Sequence, residues 1–286
     1  MQPSFRAALL CLLAGIAALP AAAQQRPLRT PDAETLPAGT MRAQVGFDFL
    51  QDVSYPLSGL SGDQTSVAVI SIRMGVGKIV EVQLEGAVRH FLDVKQQIAG
   101  PVPPQLTNGN STSDTGDFSL FTKIRIIPEE KRRPAVAFRF GYQMPNSNQT
   151  RGIGTNTSNL FAEMVLQKHI GKLNVFGSAG LAILQSPTQN FSQNDVLIYG
   201  VGFIYPVHRR LNIVGEVAGR HSTRTIDPGL FGTESRAQGR LGLQIFAGGF
   251  QWDVAGIGGI HKNDPRTGFT FGISKEIRIF DYGSIR

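Results

Sequence analysis

From about residue 40 to its end the chain breaks into about twelve stretches in which apolar and polar side chains alternate, joined by connectors that are alternately long and short. In one stretch Val80, Val82, Leu84, Gly86 and Val88 interleave with Glu81, Gln83, Glu85 and Arg89. In another Leu211, Ile213, Gly215 and Val217 interleave with Asn212, Val214, Glu216 and, further on, Arg220. Successive side chains of a strand point to opposite faces, so each stretch has one apolar and one largely polar wall. A soluble sandwich also has two faces, but its polar face looks at bulk water. Two-faced strands joined by alternating long and short loops instead predict a membrane barrel, apolar toward lipid and polar toward the lumen. The expected fold is all-β: a closed antiparallel transmembrane β-barrel of about 12 strands over residues 40–286.

The amino-terminal region reads as a secretory signal peptide over residues 1–23. Arg6 precedes an apolar run from Ala7 to Leu19, and Pro20-Ala21-Ala22-Ala23 supplies an Ala-x-Ala cleavage site before Gln24. That run is shorter than the roughly 20 residues a spanning helix needs. Cys11, the sole cysteine, lies early within it, with Leu12 to Leu19 still downstream, which weighs against a lipoprotein cysteine. After cleavage no thiol remains, and the mature protein must hold together by strand pairing and packing. Residues 24–39, with Pro27, Pro31, Pro37 and Gly39, have no periodicity and read as an extended periplasmic tail.

The net charge of +7 becomes +6 once Arg6 is removed with the leader. Four of the five short turns contain Lys78, Lys131, Arg132, Arg133, Lys168, Lys172, Arg209 and Arg210 against Glu129 and Glu130; eight minus two is again +6. One rim thus carries a charge equal to the whole excess, which argues against a nucleic-acid groove and suits either anionic lipid headgroups or ordinary solvated turns. The polar walls hold Arg42, Arg73, Arg89, Lys123, Arg125, Arg139, Arg220, Arg236 and Arg240 with Asp48, Glu81, Glu85, Asp117, Glu163, Glu216 and Asp253. Near balance of sign argues against a strong ion filter, and most of these groups read as salt bridges that stiffen the interior. The candidates for lining a pathway are Glu81, Glu85, Arg236, Arg240, Arg42, Arg139 and Glu216. Glu81 with Glu85, and Arg236 with Arg240, repeat a charge along one wall.

Several short motifs resemble the transporter family named for the MetA pathway of phenol degradation. They are Arg26-Pro27, Thr35-Leu36-Pro37-Ala38-Gly39-Thr40, Asp117, Gly141-Tyr142-Gln143-Met144-Pro145, and the closing series Gly215-Glu216, Gly242-Leu243-Gln244 and Gly272-Ile273-Ser274. The resemblance implies an outer-membrane barrel of about this length that moves small, aromatic or hydrophobic molecules. One departure is Gln44, where the family pattern would place an inward Glu in the first strand.

An enzymatic barrel needs an activated nucleophile, such as Ser beside His. His169 and His208 fall in short turns, His90 on the lipid parity of its strand, and His261 in an outer loop without a nearby serine. His221 adjoins Ser222, yet neighbours on a strand face opposite walls. No metal-ligand spacing and no cofactor motif is present, and Gly200-Val201-Gly202 reads as strand glycine. The four Asn-x-Ser/Thr sequons, at Asn110, Asn148, Asn156 and Asn190, reflect polar loop composition. The expected function is passive passage of small molecules through a narrow, plugged or partly occluded polar lumen in the cell outer membrane. The alternative is a structural or surface-interaction barrel with a sealed lumen. The expected partners are outer-membrane lipid, a small-molecule solute and the barrel-assembly machinery, with no nucleic acid, in a monomer. The chain ends Tyr282-Gly283-Ser284-Ile285-Arg286, without the terminal aromatic common in such barrels.

Overall fold

The structure is a computed structural model describing residues 26–106, 109–188, 192–224 and 231–280; the stretch 1–23 expected to be a signal peptide, the expected cleavage site, Asn190 and the last residues from Asp281 lie outside them. Among the described residues the elements are β1 (Thr40–Tyr55), β2 (Leu60–Gly75), β3 (Val80–Gln97), β4 (Ser111–Asp114), β5 (Ser119–Ile127), β6 (Ala135–Gln143), β7 (Asn159–Ile170), β8 (Leu173–Gln185), β9 (Gln193–His208), β10 (Leu211–Ser222), β11 (Arg236–Ala247), β12 (Phe250–Gly259) and β13 (Thr267–Arg278), with one 3₁₀ turn at Gln149–Arg151. Every pairing is antiparallel between neighbours, and β1 meets β13 from Thr40↔Arg278 to Gln51↔Thr267. That last ladder shuts a ring of twelve strands, with β4 as a short thirteenth against the upper part of β3. Closure leaves no unpaired edge in the ring, which is the condition for crossing a bilayer with strands. Among the described residues no helix is long and apolar enough to cross a membrane.

The stretch before β5, rich in Pro, Asn, Ser and Thr, reads from sequence as a loop, but its end forms the short strand β4. β3 pairs with β5 up to Glu85↔Ser119 and with β4 from His90↔Asp114, so the register is kept across a break at residues 115–118. Asp117 sits in the break, where it accepts the backbone N–H groups of Asn146 (2.9 Å) and Ser147 (2.7 Å) from the following long loop. An inward carboxylate there captures a loop instead of extending the ladder.

Burial alternates along the strands, but β1 changes phase at Asp52 (φ +54°), between the buried Leu50 and Val53, and β2 and β3 change phase part-way as well. In β2 the buried residues are Leu60, Gly62, Gln64 and Ser66, then Ser71, Arg73 and Gly75; the change falls at Ala68, whose φ is +49°. The facing part of β3 changes phase with it. His90 consequently points inward, where its Nδ1 lies 2.7 Å from Ser66 Oγ and 2.9 Å from Gln64 Nε2, while Arg89 is exposed and donates to Ser113 Oγ. Both assignments reverse the simple parity count: an irregularity shifts every later side chain to the opposite face.

The outer wall is an apolar girdle with Leu241 (64 % exposed), Val201 (63 %) and Leu181 (61 %), while Lys123 inside is fully buried. This inverts the distribution of a water-soluble domain and is what lipid outside and polarity inside require. Near the short-turn rim Trp252 lies between Phe250 (6.4 Å) and Phe271 (6.2 Å), and Lys275 on the lipid parity lays its ammonium 4.8 Å from the Phe250 ring. A lysine on the lipid parity can snorkel its ammonium to the interface, and here it has an aromatic partner. The rim's two acids are each taken by basic neighbours, Glu130 by Arg133 and Glu129 by Lys168 and His169. Partial burial pushes the Glu129 carboxyl up, but hydrogen bonds from His169 and Lys168 outweigh it and hold the group at about 2. Leu241 lies midway along β11, and Leu241→Arg is expected to destabilise the barrel by about 2–4 kcal/mol in lipid. Denaturant titration in phospholipid vesicles checks this; an unchanged midpoint would mean that this wall does not face lipid.

Candidate functional site

Twelve strands about 4.8 Å apart and tilted about 40° enclose a backbone radius of about 12 Å, wider than wall side chains fill by themselves. The remaining bore is occupied by the chain's own amino-terminal segment. The segment read as a periplasmic tail is extended, but its described part, 26–39, lies inside the lumen. Its return is made at the short-turn rim by Pro37-Ala38-Gly39-Thr40, where Thr40 N donates to Pro37 O at 3.0 Å and Gly39 has φ +77°. A type II turn needs positive φ at its third residue, and a Cβ on Gly39 would stand 2.1 Å from Phe280 O, so only glycine fits.

Each of the twelve ring strands supplies a residue that meets the segment. On one side Leu36 N donates to Glu81 Oε2 (2.8 Å), Ala33 N to Gln167 Oε1 (2.9 Å), and Glu34 accepts Arg125 (2.8 Å). Asp32 takes the buried Lys123 ammonium at 2.8 Å and faces Arg73 at 3.9 Å. Ala33 packs with Ala135, Ala137 and Val165 of β6 and β7. Across the lumen Glu216 holds the backbone itself: its carboxylate accepts Arg29 N (2.8 and 2.9 Å) and Thr30 N (2.7 Å), and lies 3.6 Å from Arg240. Arg240 donates to Pro27 O at 2.9 Å. Gln244 and Gln251 donate to Arg26 O, and the Arg26 guanidinium reaches Thr270 (2.8 Å), Asp253 (3.3 Å) and Asp48 (3.7 Å). Leu28 joins an apolar cluster with Phe176, Ile204 and Val214 on β8, β9 and β10. Phe176, Ile204 and Val214 make an apolar patch there, whereas β2 and β5 present Arg73, Lys123 and Arg125; the segment matches both, with Leu28 on one and Asp32 and Glu34 on the other.

The wall is also carved to receive it. An added Cβ would meet Arg26 from Gly46 (2.2 Å) and Gly272 (2.6 Å), Thr30 from Gly200 (2.5 Å), and the Leu36 and Pro37 carbonyls from Gly75 (2.4 and 2.3 Å). Gly200, read from sequence as an ordinary strand glycine, is where the segment approaches the wall.

Between the segment and the long loops lies a cavity of about 310 Å³, floored by Arg29 and walled by residues such as Leu50, Val53, Leu184, Arg220 and Arg236. That volume is within the range of small-molecule sites, about 300–1,000 Å³. The seven sequence candidates all reach the interior, but they divide. Glu81, Glu216 and Arg240 hold the segment. Arg139 pairs with Glu85 (3.2 Å) and Glu163 (2.8 Å), donates its Nε–H to Gln83 Oε1 (2.8 Å), and stacks its guanidinium 3.5 Å over Phe121, a ring for which Gly141 leaves room. Arg42 pairs with Glu276 at 2.5 Å near the short-turn rim. Arg236 alone of the seven lines the outer cavity. Sequence reasoning missed Arg26, Arg29, Asp32 and Glu34. The available signal was a tail whose charges and leucines recur at short spacing between prolines, more than an idle spacer needs.

Among the described residues no group of His, Cys, Asp and Glu could hold a metal ion. His221 is exposed on the outer wall, whereas Ser222 turns inward and accepts Asn194 at 2.8 Å, so the two form no dyad. No protein-family model and no curated protein sequence matches the chain. Solved structures similar to it include the NanC porin (8 % identity, TM-score 0.46, covering 82 % of this chain and 97 % of that one). The outer membrane channel DcaP of Acinetobacter baumannii is 11 % identical (TM-score 0.43, 86 % and 100 %), and the CymD monoaromatic hydrocarbon channel 8 % (TM-score 0.43, 86 % and 90 %). At these identities the likeness concerns the fold.

Proposed function

We propose that this protein resides in the outer membrane after export and passes small molecules passively through a lumen that its own amino-terminal segment narrows. The observation that carries the reading is that the bore is filled by a length of chain held through hydrogen bonds and ion pairs, not by wall side chains. Such a filling can shift or leave while the ring of strands stays shut. A cavity on the long-loop side, bounded by this segment, gives a solute a place to wait. Its apolar surfaces beside Leu184 and Val53 favour aromatic or hydrophobic solutes over sugars, in keeping with the resemblance to the phenol-pathway transporters. Insertion by the barrel-assembly machinery and a monomeric state complete the proposal.

The second reading, a sealed barrel whose loops bind a partner, is favoured by the number of strands that grip the segment. Liposome swelling with the purified full-length protein separates them. Benzyl alcohol is expected to enter faster than glucose, and both faster than through protein-free vesicles. Swelling no faster than in the protein-free control for every solute would sink the transport reading.

A further inference from the structure

We infer that the outer cavity binds a small amphipathic anion, an aromatic or short aliphatic carboxylate, between Arg220 and Arg236. This rests on the reading of the lumen as a solute path and names the class of solute. Arg220 and Arg236 are direct partners in the β10–β11 register, and both are on the lumen parity. Like charges facing each other across an antiparallel pair are destabilising, with Cβ atoms only about 4.5–5.5 Å apart. Neutral acceptors hold them there. Arg220 donates to Glu234 O and Gly232 O (both 2.8 Å), and Arg236 to Asn263 O and Ser54 O (both 2.9 Å). The nearest carboxylate paired with either is Glu234, 4.0 Å from Arg220. A guanidinium has five N–H donors, so each keeps others for a carboxylate, whose geometry matches the fork.

Arg29 brings a third guanidinium from the segment below, 57 % exposed, with Asp48 3.8 Å away. Among the described residues the cavity lining thus includes three arginines and no Asp or Glu. The rest of the wall includes Leu50, Val53, Leu57, Ile153, Leu184 and Pro265. Cations alone would suit inorganic phosphate; cations set in an apolar wall suit an anion with a hydrocarbon body.

Titration calorimetry of the full-length protein in detergent, with benzoate, benzyl alcohol, benzylamine and inorganic phosphate as probes, tests this. Benzoate is expected to bind at least about tenfold tighter than the other three, the scale of one or two charge-assisted hydrogen bonds. Arg236→Gln should weaken benzoate by about tenfold or more and leave benzyl alcohol unchanged, while Arg236→Lys keeps part of the affinity. Folding of each variant is checked by its heat-dependent gel mobility, and Arg220→Gln serves if Arg236→Gln does not fold. Phosphate binding as tightly as benzoate overturns the amphipathic assignment, and benzoate binding no tighter than benzyl alcohol overturns the site. Failure here with normal liposome swelling removes the site and leaves the transport reading; benzoate binding without swelling does the reverse.

Discussion

Deleting residues 26–38 behind an intact leader is expected to raise single-channel conductance in planar bilayers by about tenfold or more, because current through a bore scales with its open cross-section and an extended chain fills most of a twelve-strand lumen. The barrel should survive the deletion. Wall-to-wall pairs remain without the segment, Glu216 with Arg240 at 3.6 Å and Glu81 with Lys123 at 3.3 Å, and water entering the lumen solvates what the segment leaves behind. Added synthetic peptide covering the deleted residues should lower the conductance again. A deleted protein that folds, inserts and conducts no better than the full chain would show that something other than this segment limits passage.

Glu216→Ala should release the segment without removing it. The carboxylate satisfies two backbone N–H groups and faces Arg240; Glu216, Thr30 and Arg240 are buried. Stranding two donors and a guanidinium is expected to weaken docking by about 3 kcal/mol, which shifts the ratio of docked to undocked segment about a hundredfold. Hydrogen exchange reads this directly: the Arg29 and Thr30 amides should lose protection by a similar factor, with smaller losses in the ladder between β10 and β11. Glu216→Gln, which keeps an acceptor oxygen but not the charge, should fall between. Glu85→Ala provides the contrast, since Glu85 bonds Arg139 on the wall and its loss should leave both tail amides protected. Unchanged protection at Arg29 and Thr30 in Glu216→Ala would mean that the segment is held mainly elsewhere.

The limits of parity reading show at particular residues. Arg42, Gln44, Arg139, Glu163, Glu216 and Arg240 all lie on the interior face their alternation predicts, because each sits in an unbroken ladder where one step fixes the next. His90 and Arg89 exchange faces because Ala68, across the β2–β3 pair, takes a left-handed conformation that no local pattern announces. Strands β8 and β9 do not read as two-faced from sequence because their inward residues include Phe176, Val196 and Ile204, apolar on the side expected to be polar. Phe176 and Ile204 serve Leu28 of the inserted segment, a contact between positions far apart in the chain, while Val196 packs with Ala182 and Leu184.

Alternation and turn chemistry by themselves determined the ring of strands, which rim is short-turned, and which wall meets lipid, since strand faces follow from a two-residue period that is local to each stretch. Tertiary structure alone decided where residues 26–39 go. Their partners, from Asp48 to Thr270, converge only when the first strand pairs with the last, and a segment without periodicity reveals its destination only through the cavity that such closure creates.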